Sequence, residues 1–131
     1  MSWVHLVFGL LLFIAFAVTG KLMRVDFPDK DLIPQDLRLL MRSRHIYILF
    51  SSLIHLVLGV YLRMENDIRI KLLQGFGSLL LFVASGLLLW GWWAETYQYQ
   101  HFSDISREGI YTSLAGVGLH LIGGLVSKFK R

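Results

Sequence analysis

Two histidines carry the strongest chemical signal in the chain. His55 has Ser51 four residues before it and Gly59 four after, and His120 has Gly116 and Gly124 at the same offsets. Residues four apart stack on one helix face, so each imidazole would stand in a shallow groove. Such a groove admits a flat cofactor: two neutral imidazoles facing each other could ligate the iron of haem b from both sides, with Ser51 or Ser52 as acceptors behind them. The same spacing lets membrane helices approach closely, with histidine as an interhelical hydrogen-bond partner. Buried imidazoles also suit a proton or small-solute pathway, which four short helices would build only as an oligomer. These readings remain open at the level of sequence.

The other histidines read differently. His5 begins a third His-Leu-Val-x-Gly run, ending at Gly9, but its place about a turn from the start of the first apolar run marks it as interfacial. Arg42, Arg44 and His45 cluster at the opposite face, with His101, Arg107, Glu95, Asp104 and Glu108 in a loop on the same side. Such residues would meet lipid phosphate, a quinone headgroup or a partner subunit, or form a snorkelling cluster and a solvated loop. No glycine-rich phosphate loop, nucleophile elbow or paired carboxylates within a span appear, so no catalytic motif is evident. The absence of cysteine excludes disulfides, iron–sulfur clusters and thiolate chemistry.

What must position these groups is a set of apolar runs. The chain has 131 residues, of which 55% are hydrophobic, too oily for a soluble domain of that size. Four runs, 3–22, 45–62, 72–93 and 110–126, are long enough to cross roughly 30 Å of hydrocarbon at 1.5 Å per residue. Backbone polar groups in lipid must pair within their own segment, so each run is a helix. The expected fold is an all-α integral membrane four-helix bundle in a single transmembrane domain. Ala15-Phe16-Ala17 mimics a signal-cleavage site, but the run has no basic stretch before it and is long for a signal peptide. The first loop ends in Asp36-Leu37-Arg38-Leu39-Leu40-Met41-Arg42, which lies at the interface or extends the second helix. Trp90, Trp92, Trp93, Tyr97 and Tyr99 form an aromatic anchoring belt at the face where the third run ends.

A repeat orders the four runs. Ser43-Arg44, Ile46-Tyr47, Ser51, His55-Leu56-Val57 and Gly59 are matched in order by Ser106-Arg107, Ile110-Tyr111, Gly116, His120-Leu121-Ile122 and Gly124, and Phe8-Gly9 is matched by Phe76-Gly77. Read as two parallel helical hairpins, this makes helices two and four run the same way. His55 and His120 then lie about 16 and 20 Å along the rise from Arg44 and Arg107, near the bilayer middle.

Paired histidines in a four-helix bundle resemble those of membrane b-type cytochromes in general. No signature specific to such a family is present, and no residue role follows from the likeness. Composition points to a small membrane protein, structural or an accessory subunit of a membrane assembly, whose partners are the lipid bilayer and other membrane subunits or copies of itself. No nucleic-acid-binding surface is visible. Seven of the nine acidic residues fall on the first-loop face, which leaves the face carrying the termini net positive. That balance, with Lys130 and Arg131 counted in it, favours termini on the cytoplasmic side of a bacterial-type inner membrane.

Overall fold

The computed structural model describes residues 2–63 and 66–129. Lys130 and Arg131 of the terminal face, and residues 64 and 65 of the second loop, lie outside the described residues. Four helices follow one another: α1 (Ser2–Asp26), α2 (Gln35–Tyr61), α3 (Ile68–Tyr97) and α4 (Asp104–Phe129). Each is long and apolar enough to cross a membrane, the architecture of an integral membrane protein.

Each helix outruns its apolar stretch. The charged ends that limit hydrocarbon do not limit backbone hydrogen bonding, so the helices continue into the headgroup zone. The Asp36–Arg42 segment is accordingly the first part of α2, which begins just after Pro34. A proline there cannot donate to a preceding turn but leaves the following residues free to start a helix. Asp67 starts α3, its carboxylate accepting from the Arg69 N–H at 2.9 Å.

Glycines set the approach within each hairpin. A Cβ on Gly59 would come within 2.7 Å of the Leu6 backbone, and one on Gly9 within 2.9 Å of the Leu56 N, so α1 and α2 touch backbone to backbone. In the second hairpin a Cβ on Gly116 would meet the Gly77 carbonyl at 2.9 Å, and one on Gly109 would meet Leu88 at 2.8 Å. Small residues are how membrane helices gain dispersion contact where lipid supplies no hydrophobic drive. The hairpins join chiefly along α2 and α3, while α2 and α4 touch little. Between those two helices an open groove of about 650 Å³ runs toward the terminal face, lined by Phe50, Ile54, Val57, Val117, His120 and Leu121 among others.

At the opposite face the first loop folds over the helix ends, and Phe27, Leu37 and Met41 form an apolar plug with Met23, Ile33 and Tyr97 packed around it. The Tyr97 hydroxyl donates to the Asp26 carboxylate, tying α3 to the end of α1.

The aligned residues of the two hairpins occupy different surroundings. Arg44 is wholly buried, whereas Arg107 is exposed beside Asp104 at 3.2 Å.

Candidate functional site

Six polar side chains inside the bundle, His5, Ser51, His55, Ser78, Ser85 and His120, form one connected file. The Ser85 hydroxyl donates to the Leu81 carbonyl of its own helix at 2.8 Å. With its only proton committed, Ser85 can only accept from its other two neighbours: the Ser51 hydroxyl at 2.6 Å and His55 Nε2–H at 3.0 Å. A neutral His55 with hydrogen on Nε2 has a bare Nδ1, which accepts from His5 Nδ1–H at 2.7 Å. His5 Nε2 is then bare and accepts from the Ser78 hydroxyl at 3.0 Å. Ser78 in turn accepts from His120 Nε2–H at 3.2 Å. One committed hydroxyl therefore sets every tautomer along the file. The last atom, His120 Nδ1, is a buried lone pair without a partner among the described residues.

Neutral imidazoles are the consistent state of this file. Every bond in it is satisfied without an extra proton, and none of its hydrogen bonds involves a carboxylate. A resident charge at bilayer depth would cost several kcal/mol.

All four helices contribute to it. His5 enters from α1, Ser51 and His55 from α2, Ser78 and Ser85 from α3, and His120 from α4. The file runs from the half of the bundle nearer the termini toward its middle. Rings pack around it: Phe82 stacks on His5 with centroids 4.9 Å apart, and Phe8 meets His55 edge-on at 4.9 Å. Beyond Ser51, buried Ile48, Leu88 and Trp92 separate it from the opposite face. At its other end His120 lines the groove between α2 and α4, together with Gln74, Arg63 and Ser127.

His5 thus differs from its expected interfacial place: it is 0% exposed and bonded through both ring nitrogens. The expectation took distance from the end of the apolar run as exposure to the interface, whereas α2 and α3 flank this turn of α1 and cover it. Its His-Leu-Val-x-Gly run, shared with His55, was the signal that could have placed it inside. His55 and His120 do belong to one cluster, but they are joined through His5 and Ser78 and do not face each other across a slot.

The fit to haem fails on the same observations. Two imidazoles ligating one iron hold their nitrogens about 4 Å apart with metal between. Here both nitrogens of His55 and Nε2 of His120 already hold other partners. The grooves expected beside the histidines are filled as well, Gly59 by Leu6 and Gly116 by Gly77 and Leu81, while Gly124 has nothing within 4 Å. Among the described residues no cluster of three metal-ligating side chains occurs.

The expected interfacial residues separate into distinct environments. Arg44 is buried in a saturated network: Nη1 donates to the Glu95 carbonyl at 2.8 Å, Nη2 to the Gln100 carbonyl at 2.6 Å, and Nε to Ser103 Oγ at 3.0 Å. Its partner carboxylate, Glu95, lies 3.3 Å from Nε and accepts from the Ile105 N–H at 2.7 Å and the Ser106 hydroxyl at 2.6 Å. One ion pair therefore caps both the end of α3 and the start of α4, where helix termini leave backbone groups unpaired. His101 bonds Asp36 at 3.1 Å on the exposed surface. His45 and Arg42 line a separate cleft between α1 and α2.

Compared with known proteins, the chain matches no family model, no curated protein sequence and no solved structure.

Proposed function

We propose that this small integral membrane protein is a proton-accepting element, loaded from the terminal face through His120 and storing the proton at His55. The observation that supports this reading is the single polarity of the hydrogen-bond file, which ends in the buried, unpartnered Nδ1 of His120, a residue that also lines an open groove.

The transfers balance atom by atom. A proton entering from the groove side binds His120 Nδ1 when a small opening of its buried surroundings admits water. His120 gives its Nε2 proton to Ser78, Ser78 gives its own to His5 Nε2, and His5 passes its Nδ1 proton to His55 Nδ1. His55 becomes imidazolium, still donating to Ser85. Every bond between His120 and His55 has then reversed its sense, and none is left unmade. Apolar Ile48 and Leu88 close the far side, so a lone copy returns the proton by the way it came. Passage onward requires a partner membrane subunit or a second copy, which makes the chain an accessory element of a larger membrane assembly.

The test is ¹⁵N magnetic resonance of histidine-labelled protein in bilayers, with signals assigned by single His→Gln variants. At neutral pH His5 should carry hydrogen on Nδ1 and His55 and His120 on Nε2. On acidification His55 should become imidazolium while His5 and His120 exchange tautomers. An Nε2–H tautomer at His5, or a His55 that stays neutral until the protein unfolds, would refute the proposal.

A second reading, that the file only fastens helices, is favoured by its internal saturation: apart from His120 Nδ1, no side-chain atom in it is left unpaired. It predicts the same neutral tautomers with no proton uptake by the folded protein.

A further inference from the structure

A cleft of about 480 Å³ opens between the last turns of α1 and the first turns of α2, on the face opposite the termini. Its wall carries Lys21, Arg24, Arg38, Arg42 and His45, and no acidic residue. The remaining lining is apolar and includes Phe16, which stacks on His45 with centroids 4.3 Å apart and planes 13° from parallel.

Apart from exposed Asp29, the acids of this face have partners of their own. Asp26 accepts from Tyr97, and Asp36 pairs with His101 at 3.1 Å. Only Asp31 approaches a cleft cation, Arg38, at 3.6 Å. Among the described residues Lys21, Arg24 and Arg42 have no carboxylate within ion-pair distance. Three uncompensated cations around one concavity call for an anion.

His45 is positioned, not free to swing. Thr19 gives its hydroxyl proton to the Phe16 carbonyl at 3.0 Å, so at 3.1 Å it can only accept from His45 Nδ1–H. Nε2 is thereby held over Gly20, where a Cβ would meet it at 3.3 Å. The ring forms part of the cleft wall, and the glycine leaves room for it.

We propose that this cleft binds the phosphate of an anionic phospholipid, with its glycerol and first acyl carbons on the apolar lining. The choice of a lipid over a soluble anion rests on depth and composition. Lys21 and Arg24 stand where the first apolar run ends, at headgroup level, and the lining joins cations to an apolar wall as a lipid joins phosphate to hydrocarbon.

The experiment titrates the full chain, purified in neutral detergent, with short-chain phosphatidylglycerol, short-chain phosphatidylcholine and inorganic phosphate, reading bound adducts by native mass spectrometry. Phosphatidylglycerol should saturate at one molecule per chain, and Arg24→Gln with Arg42→Gln should weaken it about 10- to 30-fold. Arg69→Gln with Lys71→Gln, on the terminal face, should leave it unchanged. Should the Arg24/Arg42 pair fail to fold, Lys21→Gln with Arg24→Gln replaces it with the same expectation. Equal binding of phosphatidylcholine, equally tight binding of inorganic phosphate, or equal loss in the terminal-face pair would overturn the assignment.

Discussion

Replacing Ser78 by alanine removes a single oxygen from the middle of the bundle and tests the file at its narrowest link. Ser78 is wholly buried and holds two bonds, donated to His5 Nε2 at 3.0 Å and accepted from His120 Nε2 at 3.2 Å. Alanine leaves one imidazole acceptor and one imidazole donor unmatched in apolar surroundings. Side-chain bonds between membrane helices average about 0.6 kcal/mol and reach about 1.7, so two of them set a loss of about 1 to 3 kcal/mol. The assay is equilibrium unfolding in mixed micelles, followed by fluorescence of the four tryptophans. Ser113→Ala is the matched control, because the Ser113 hydroxyl is buried without a partner among the described residues; it should cost nothing or stabilise. The same Ser78→Ala protein should load His55 with protons far more slowly after a pH jump. A stability change below about 0.5 kcal/mol, set against that expected range, together with unaltered histidine resonances, would show that the bonds are not made as described.

Arg44→Met should cost about 3 to 5 kcal/mol because it strands the Glu95 carboxylate. Arg44→Met combined with Glu95→Met should cost less than the sum of the two single changes, and strict additivity in the same unfolding assay would contradict a shared network. Gly59→Ala should lose about 1 to 3 kcal/mol by forcing α1 off α2. Gly124→Ala, open on its outer side, should be neutral or gain up to about 1 kcal/mol of helix propensity; melting curves of the two decide whether the close approach lies where Gly59 meets Leu6.

The spans were readable in the sequence because a run of apolar residues about twenty long has few other physical uses. A similar depth for His55 and His120 could be read from their distances along the second and fourth runs, but not that His5 and Ser78 join them. The inward turn of His5 was not, since a membrane helix is apolar all round and carries no amphipathic period to mark its inner side. What marks that side here is the reverse pattern, the scattered serines and histidines at Ser51, Ser52, His55, Ser78 and Ser85. The Arg44–Glu95 pair stayed hidden for another reason. Its members are far apart in sequence and each sits beside charged or aromatic neighbours at a span end, where a snorkelling side chain and a buried one have the same local sequence.

The division of forces between the hairpins bears on how the chain enters a membrane. Within each hairpin the join is made mainly by glycine-level backbone contact, so each pair can pack as soon as both its helices are in lipid. Between the hairpins the join is largely polar: His5 with Ser78, Ser51 and His55 with Ser85, Arg44 with the end of α3. During synthesis the first pair therefore waits with unmatched donors and acceptors turned toward lipid until the second arrives. That waiting period is the stage of biogenesis at which an insertion chaperone would have most to shield.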